Sequence, residues 1–361
     1  MPSMDRWDAP ADIIVSDATA VTGDGIDQPT TLANRRRRER LDLRFGGLFT
    51  VTVPGVAGLN NRGSLLGAVS RIKYKVGGKP IVDIDARCAR ALGEFFAQQN
   101  PPAVRAADAL VQANTPLSET VPLWFSSPQS LNLGETKYLD PPGENLKIEL
   151  AITPSRRANL PGILAGVAGQ GTLAQLTCQV QDVYDEDVTQ LPDERVWVDE
   201  IVTPVIAAAQ SNYRVDLKLN RKVRGILIQQ DSDNGEVGGG GLIKNFTLKT
   251  DRAILYNNIN WNNFVEHLAQ EFGAAAQDTR AYAFIDFQRQ GRRSTWLDPV
   301  NEDTGLRFEF NVTPAGLTNP VIRIVPVQYE RVVGATADVT RLEQARGRGR
   351  AAAAPLGVIA R

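Results

Sequence analysis

The feature that most constrains this chain is an ordered series of segments that occurs twice. One copy closes with Tyr138-Leu-Asp-Pro141 and then Asn145-Leu-Lys-Ile-Glu-Leu-Ala-Ile-Thr-Pro154. The other closes with Trp296-Leu-Asp-Pro299 and then Gly305-Leu-Arg-Phe-Glu-Phe-Asn-Val-Thr-Pro314. Asp140 and Asp298 lie 158 positions apart, and Pro154 and Pro314 lie 160 apart. Within these stretches Leu146, Ile148, Leu150 and Ile152 match Leu306, Phe308, Phe310 and Val312, with Lys147/Glu149 and Arg307/Glu309 interleaved. Successive side chains of a strand point to opposite faces, so this alternation describes a half-buried strand. Proline at its limits fits, because proline has no N–H to give a ladder.

The series extends upstream. Strand Ile72–Val76, a turn, strand Ile81–Ile84 and a helix from Asp85 to Gln99 correspond to Phe246–Lys249, a turn, Ile254–Tyr256 and a helix from Asn260 to Phe272. Cys88, Leu92, Phe95 and Phe96 in the first helix, and Trp261, Phe264, Val265, Leu268 and Phe272 in the second, recur at the spacing of one buried face. Asp85 and Asn260 are the expected N-caps, and Gly273 the expected residue after the second helix. Each copy ends in a long strand, Leu173–Val183 and Val321–Tyr329. Further strands are expected at Leu48–Val53, Tyr213–Leu219, Ile226–Gln229 and Ala281–Phe287, separated by turn clusters such as Gly77-Gly78 and Gly238–Gly241. A period near 160 is too long for a solenoid or propeller unit of about 20–50 residues. It is the size of a whole domain, and 361 residues accommodate two.

Reactive groups are scarce. Two cysteines (Cys88, Cys178) and one histidine (His267) give neither a disulfide framework nor the ligand set of a structural zinc site. His267, beside Leu268 on a helix with no partner at ligand spacing, reads as a packing or surface residue. No catalytic residue, cofactor or metal is expected. Asp231-Ser-Asp-Asn-Gly235 opens like a calcium loop, but the position that would supply the closing Glu is Leu242. The Gly-rich segments 162–171 and 238–241 lack the Lys-Ser/Thr of a phosphate loop. Asn245-Phe-Thr247 and Asn311-Val-Thr313 match a glycosylation pattern but fall in strands. Trp124, Trp197, Trp261 and Trp296 read as core, and the acidic group Asp182, Asp185, Glu186 and Asp187 as a solvated strand end.

Charge is balanced overall, 40 Lys+Arg against 41 Asp+Glu, but uneven along the chain. Residues 1–34 hold six aspartates and one arginine; Arg35, Arg36, Arg37, Arg38 and Arg40 follow, and Arg346, Arg348 and Arg350 precede a run of four alanines. Both ends read as extended arms carrying local charge. No apolar stretch is long enough to span a bilayer, and Met1–Pro10 has no signal-peptide core, so neither secretion nor membrane embedding is expected.

Two tandem sandwiches of this size, each with a helix inserted between strands, resemble the double jelly-roll major capsid proteins of icosahedral viruses, including tail-less, often membrane-containing bacteriophages. The resemblance covers residues from about 41 to 333 and rests on the duplicated segments quoted above. It implies an all-β fold of two antiparallel eight-stranded jelly-roll sandwiches with short inserted helices and extended terminal arms. The corresponding division is an arm over 1–40, sandwiches over 41–192 and 193–333, joined near Leu191-Pro-Asp-Glu194, and an arm over 334–361. It also implies a virion shell component, assembled in the host cytoplasm, that forms homotrimers, then a capsid lattice, and meets other capsid or vertex proteins. Loops expected to project outward are Ala103–Val121, Pro161–Gly171 and Asp231–Gly241. By the same resemblance Arg35, Arg36, Arg37, Arg38 and Arg40 would face inner-membrane lipid or packaged genome, where each cation is worth about 1 kcal/mol near an anionic surface. The competing reading of that run is a solvated charge cluster paired within the shell. The alternative from another class is a two-domain jelly-roll protein that binds or hydrolyses glycans, which requires a cleft with paired carboxylates and exposed aromatics.

Overall fold

The computed structural model describes residues 6–7, 11–14, 26–32, 37–51, 58–60, 65–97, 110–111, 115–125, 138–139, 147–154, 164–165, 171–185, 194–233, 235–272, 281–288, 297–298 and 305–331. The first sandwich is built from β1 (Ala11–Ile14), β2 (Gln28–Leu32), β3 (Arg37–Val51), β4 (Val69–Val76), β5 (Lys79–Ile84), α1 (Ala86–Ala97), β6 (Thr115–Trp124), β7 (Ile148–Pro154) and β8 (Gly171–Asp185). The second is built from β9 (Glu194–Asp199), β10 (Gln210–Leu217), β11 (Lys222–Ser232), β12 (Ile243–Thr250), β13 (Ile254–Asn260), α2 (Trp261–Phe272), β14 (Tyr282–Asp286), β15 (Leu306–Val312) and β16 (Val321–Arg331).

The duplication read from the sequence is reproduced in the hydrogen bonding. In the first copy β1–β8–β3–β6 form one antiparallel sheet and β2–β7–β4–β5 the other. In the second copy the orders are β9–β16–β11–β14 and β10–β15–β12–β13, so each strand repeats the neighbours of the strand eight places earlier. Four-stranded sheets in this order make each unit a jelly roll. The Leu-Asp-Pro segments also occupy matching places: Tyr138–Leu139 pairs with Arg38 and Arg37 on β3, and Leu297 bridges Val223 on β11.

The alternating strands do what their pattern predicts. Leu306, Phe308, Phe310 and Val312 are buried while Arg307, Glu309 and Asn311 are half-buried, and Ile148, Leu150 and Ile152 are buried in the matching strand. Each such side chain withdrawn from water contributes about 1.5–3 kcal/mol. Phe246 from β12 completes this core with Trp261, Phe264 and Phe308 around it. Both expected caps are made: the Arg87 N–H donates to Asp85 Oδ1 at 2.8 Å, and the Asn263 N–H to Asn260 Oδ1 at 3.2 Å. These bonds satisfy N–H groups that the helix itself cannot.

One division of the chain is corrected. The first 40 residues are not all arm, because β1, β2 and the start of β3 lie inside the first sandwich, with Arg6–Trp7 also pairing to β8. Ala11-Asp-Ile-Ile14 and Gln28-Pro-Thr-Thr-Leu32 are too short and polar to show a period; their places are fixed by the strands they join. Asp27 anchors that region, accepting from Lys73 at 2.9 Å, Lys75 at 2.8 Å and Thr153 at 2.7 Å. The expected junction near 191–194 lies outside the described residues apart from Glu194, which opens β9, and the C-terminal arm 334–361 lies outside them entirely.

The expected outward loops are also revised. Thr115–Trp124 is strand β6, paired along β3. Leu110–Val111 and Leu164–Ala165 both pair with Gly58–Asn60, so segments of two of those loops form a small three-stranded sheet. Asp231, expected at the head of the third, is buried at the end of β11.

Candidate functional site at the seam between the sandwiches

The two jelly rolls are joined by backbone as well as by side chains. β5 runs parallel to β9, with Val82 opposite Val198 and Asp83 opposite Asp199. The sheet β2–β7–β4–β5 therefore continues into β9–β16–β11–β14, and with the short strands Ile201–Val202 and Gly235–Glu236 it has ten strands. One buried apolar cluster runs through both halves.

Helix α1 fills this seam. Cys88, Ala89, Ala91, Leu92, Phe95 and Phe96 are buried, but so are Arg87 and Arg90. A helix buried all round belongs between layers rather than on a surface. Phe95 stacks on Phe284 of β14 at 5.3 Å between ring centroids, and Phe96 meets the same ring edge-on at 5.7 Å. On its other side the helix approaches β6 so closely that a Cβ on Gly93 would lie 2.5 Å from Pro122 Cγ.

Six charged groups meet where α1 begins. Arg87 donates to Asp231 at 3.0 and 2.7 Å and to Asp85 Oδ1 at 3.2 Å. Arg323 donates to Asp231 at 3.0 Å and to Glu200 at 2.7 Å. Arg71 also pairs with Glu200, which in addition accepts the Asp85 backbone N–H at 2.7 Å. Arg71, Asp85 and Arg87 come from the first sandwich, and Glu200, Asp231 and Arg323 from the second, so three cations and three anions close the seam. Burial alone would push the Asp231 carboxyl up; Arg87 and Arg323 outweigh it and hold it at about 2. Glu200 is pushed the other way, upward, by burial with Asp85 beside it, against the pull of Arg323 and Arg71.

A second cluster follows along α1. Arg90 donates to Glu119 at 2.7 Å and lies 3.7 Å from both Glu94 and Glu236. Tyr282 donates to Glu236 at 2.6 Å and accepts from Gln229 at 3.0 Å, and Gln229 accepts the Cys88 thiol at 2.9 Å. Burial, with Glu200 and Asp85 nearby, pushes the Cys88 thiol well above its ordinary value, so it stays protonated and unreactive. At the solvent margin Trp197 of β9 is held between Lys79 of the first sandwich and Arg221 of the second, 4.8 and 3.9 Å from its ring centroid. The charges in these clusters are paired, although Arg90 Nε has no hydrogen-bond partner among the described residues. Their chemistry is positional: they fix one sandwich against the other.

The residues singled out from the sequence are distributed differently. Arg35 and Arg36 lie outside the described residues; Arg37 lies in β3, opposite Asp185 and Leu139. Arg38 is not available to lipid or nucleic acid. It is fully buried, bound to Asp182 at 3.0 Å and to the Tyr74 hydroxyl at 2.7 Å. Arg40 donates to Asp42 at 3.1 Å and lies 5.1 Å from the Trp124 ring centroid. Arg38 turns inward where β3 runs between β8 and Tyr138–Leu139. Asp182 is correspondingly a buried partner rather than a solvated strand end; Asp185 lies in β8, and Glu186 and Asp187 are outside the described residues. His267 is exposed on α2, Trp261 is buried, Trp124 and Trp197 are half-buried against the core, and Trp296 is outside the described residues.

The seam has no direct signature in the sequence. Its nearest signal is Ile226-Leu-Ile-Gln-Gln-Asp231, a strand that does not alternate because it is buried on both faces.

No family model matches the chain, and no curated protein matches it. Solved structures do. A chain from the atomic structure of Sulfolobus turreted icosahedral virus aligns with a TM-score of 0.67 at 13% identity, covering 96% of this chain and 98% of that one. A chain from the PBCV-1 virus capsid aligns at 0.59 and 13% identity, covering 91% and 95%. The major capsid protein from bacteriophage PM2 aligns at 0.52 and 10% identity, covering 90% and 98%. The chain therefore has the double jelly-roll fold of these proteins over nearly its whole length.

Proposed function

We propose that this chain is the major capsid protein of an icosahedral virus, built into the virion shell as a homotrimer. The observation that carries this reading is the pairing of two jelly rolls of identical strand order through one continuous sheet. Three such chains present six similar wedges around a threefold axis, and a pseudo-hexagon of that kind tiles a closed surface without further chemistry. The likeness to viral shell proteins over some nine-tenths of the chain supports it. A tail-less bacteriophage is the narrower reading, supported by the likeness to the bacteriophage PM2 protein. Other capsid or vertex proteins are its expected neighbours in the lattice.

With Arg38 and Arg40 engaged inside the fold, the inner-face contact to lipid head groups or genome falls to Arg35, Arg36 and Arg37. Replacing these three by serine is expected to lower the salt-sensitive retention of lipid or DNA by assembled particles; unchanged retention removes that contact. The shell reading is tested by the mass and outline of the purified chain. A particle of three chain masses with a hexagonal outline in electron micrographs is expected. A stable monomer that binds or cleaves a polysaccharide overturns the reading.

A further inference from the structure

We infer that Glu236 is a proton-operated latch between the two sandwiches: neutral and seated against helix α1 in mildly acid solution, ionised and released as the pH rises. The inference stands on the fold and not on the shell reading, and it gives the seam a condition under which it loosens.

Glu236 sits where carboxylates from both sandwiches converge. The strand Gly235–Glu236 pairs with Asp231 and Ser232 at the end of β11, so it belongs to the second sandwich, yet its carboxyl lies against α1 of the first. Arg90, 1% exposed, is the nearest cation, at 3.7 Å. The same guanidinium donates to Glu119 of β6 at 2.7 Å and lies 3.7 Å from Glu94, so Glu119 holds the close position on it. Arg87, one turn nearer the start of α1, is bound to Asp85 and Asp231. Among the described residues the group that donates a hydrogen bond to Glu236 is the neutral Tyr282 hydroxyl, at 2.6 Å. The charged and titratable groups facing Glu236 are therefore Arg87, Arg90 and Glu94 from α1, Glu119 from β6, Asp231 from β11 and Tyr282 from β14.

A carboxyl withdrawn from water, set among other carboxylates and bonded directly to a neutral donor, is stabilised by keeping its proton. Burial pushes Glu236 up, with Asp231 adding to the rise, against the pull of Arg90, Arg87 and the Tyr282 hydrogen bond. Two further carboxyls of the second sandwich share this direction. One is Glu200, and the other is Asp199, raised by burial and by Asp83 directly opposite it in the parallel join. The cations around that pair are engaged elsewhere: Arg71 with Glu200, Arg221 with Glu330 and the Trp197 ring, and Lys73 with Asp27.

The segment carrying Glu236 is suited to swing. Gly235 precedes it at a φ of 103°, where an added Cβ would meet nothing within 4 Å, and Gly239 follows at 60°. Beyond it the chain is pinned by one buried side chain. Gln230 accepts the N–H groups of Leu242 and Ile243 at 2.9 and 2.6 Å and donates to the Gly239 carbonyl at 2.8 Å. Glu236 toward α1 and Gln230 toward β12 thus hold the same connection, and of the two only Glu236 titrates. The sign follows from linkage. The stabilisation is complete below the ordinary carboxyl value of 4.5 and is lost as pH rises through the raised one.

The test compares urea unfolding of the full-length wild type and Glu236→Gln, whose amide keeps the shape of the protonated carboxyl, from acid to mildly alkaline pH. The wild-type midpoint is expected to fall as pH rises and that of Glu236→Gln to fall less, so that the two converge in acid and the variant is the more stable in alkali. Because Glu200 and Asp199 remain in both proteins, the difference isolates Glu236. Amide protection factors read the latch itself. Val237, whose N–H is bound to the Gln230 carbonyl at 3.1 Å, should lose protection with rising pH in the wild type and keep it in the variant. Leu242 and Ile243, held by the Gln230 side chain, should keep theirs in both. Parallel midpoints, a variant less stable than wild type in alkali, or wild-type Val237 protection that does not change with pH overturns the inference. The oligomeric state, on which the shell reading is tested, is a separate measurement that none of these outcomes alters.

Discussion

Asp231→Asn should loosen the two sandwiches from each other more than any other isosteric change. The Asp231 carboxylate takes three hydrogen bonds from two arginines, at 2.7, 3.0 and 3.0 Å, in a place where its side chain is 1% and that of Arg87 5% exposed. At an effective dielectric of about 20, opposite charges at 4 Å attract by about 4 kcal/mol, and much of that offsets their desolvation. Removing one partner of a buried pair leaves the other uncompensated and costs about 3–5 kcal/mol. An amide at 231 retains one acceptor but no charge, so the lower end of that range, about 3 kcal/mol, is the expected loss. It is measured by urea unfolding of the full chain, together with amide exchange in β5 and β9, which should quicken before exchange in β7 and β15. Combining Asp231→Leu with Arg87→Met should recover part of the loss, showing a coupling of about 1–3 kcal/mol. The pH dependence has a defined sign. Because the folded carboxyl titrates at about 2 against an ordinary 3.8, its stabilisation is complete above 3.8 and disappears as pH falls toward 2. That shift amounts to about 2 kcal/mol, present in the wild type and missing in Asp231→Asn. A loss under about 1 kcal/mol, or an acid dependence equal in the two proteins, refutes the seam as an ionic lock.

Other perturbations separate packing from capping. Gly225→Ala places a Cβ 2.6 Å from Phe284 Cζ and 2.7 Å from the Ile285 carbonyl oxygen, so denaturant midpoints should fall by an equivalent of about 1–3 kcal/mol. Phe310→Ala empties the middle of the second core and should cost about 3–5 kcal/mol by the same measurement. Asn260→Ala removes a cap and an exposed side-chain bond to Asn245 and should cost about 1 kcal/mol, whereas Asp85→Ala should cost more, because Asp85 is both cap and member of the buried seam network.

What could be read in the sequence, and what could not, divides along the range of the interactions. Strands β7 and β15 and both helices announce themselves, because their apolar positions recur at a fixed period and their caps lie within three residues. β1 and β2 do not: four and five residues of mixed polarity carry no period, and only β8 and β7 make strands of them. Arg38 reads as part of a solvated basic run until β3 is placed between its neighbours, where a register shift between Arg40 and Arg38 breaks the alternation and Arg38 binds Asp182, 144 positions away. Asp231 is hidden in the same way, since Arg87 also lies 144 positions distant.

The repeat itself, legible as sequence, takes on a further meaning in three dimensions. Equivalent elements given equivalent surroundings should be equally buried; β5 and β13 are not. Their sequences are not the cause, for both carry aliphatic residues beside polar ones: Ile81-Val-Asp-Ile84 in one and Ile254-Leu-Tyr256 in the other. What differs is the neighbour, β9 on one edge and none among the described residues on the other. The burial of the twin strands is therefore set by the neighbour each receives among the described residues and not by its own side chains.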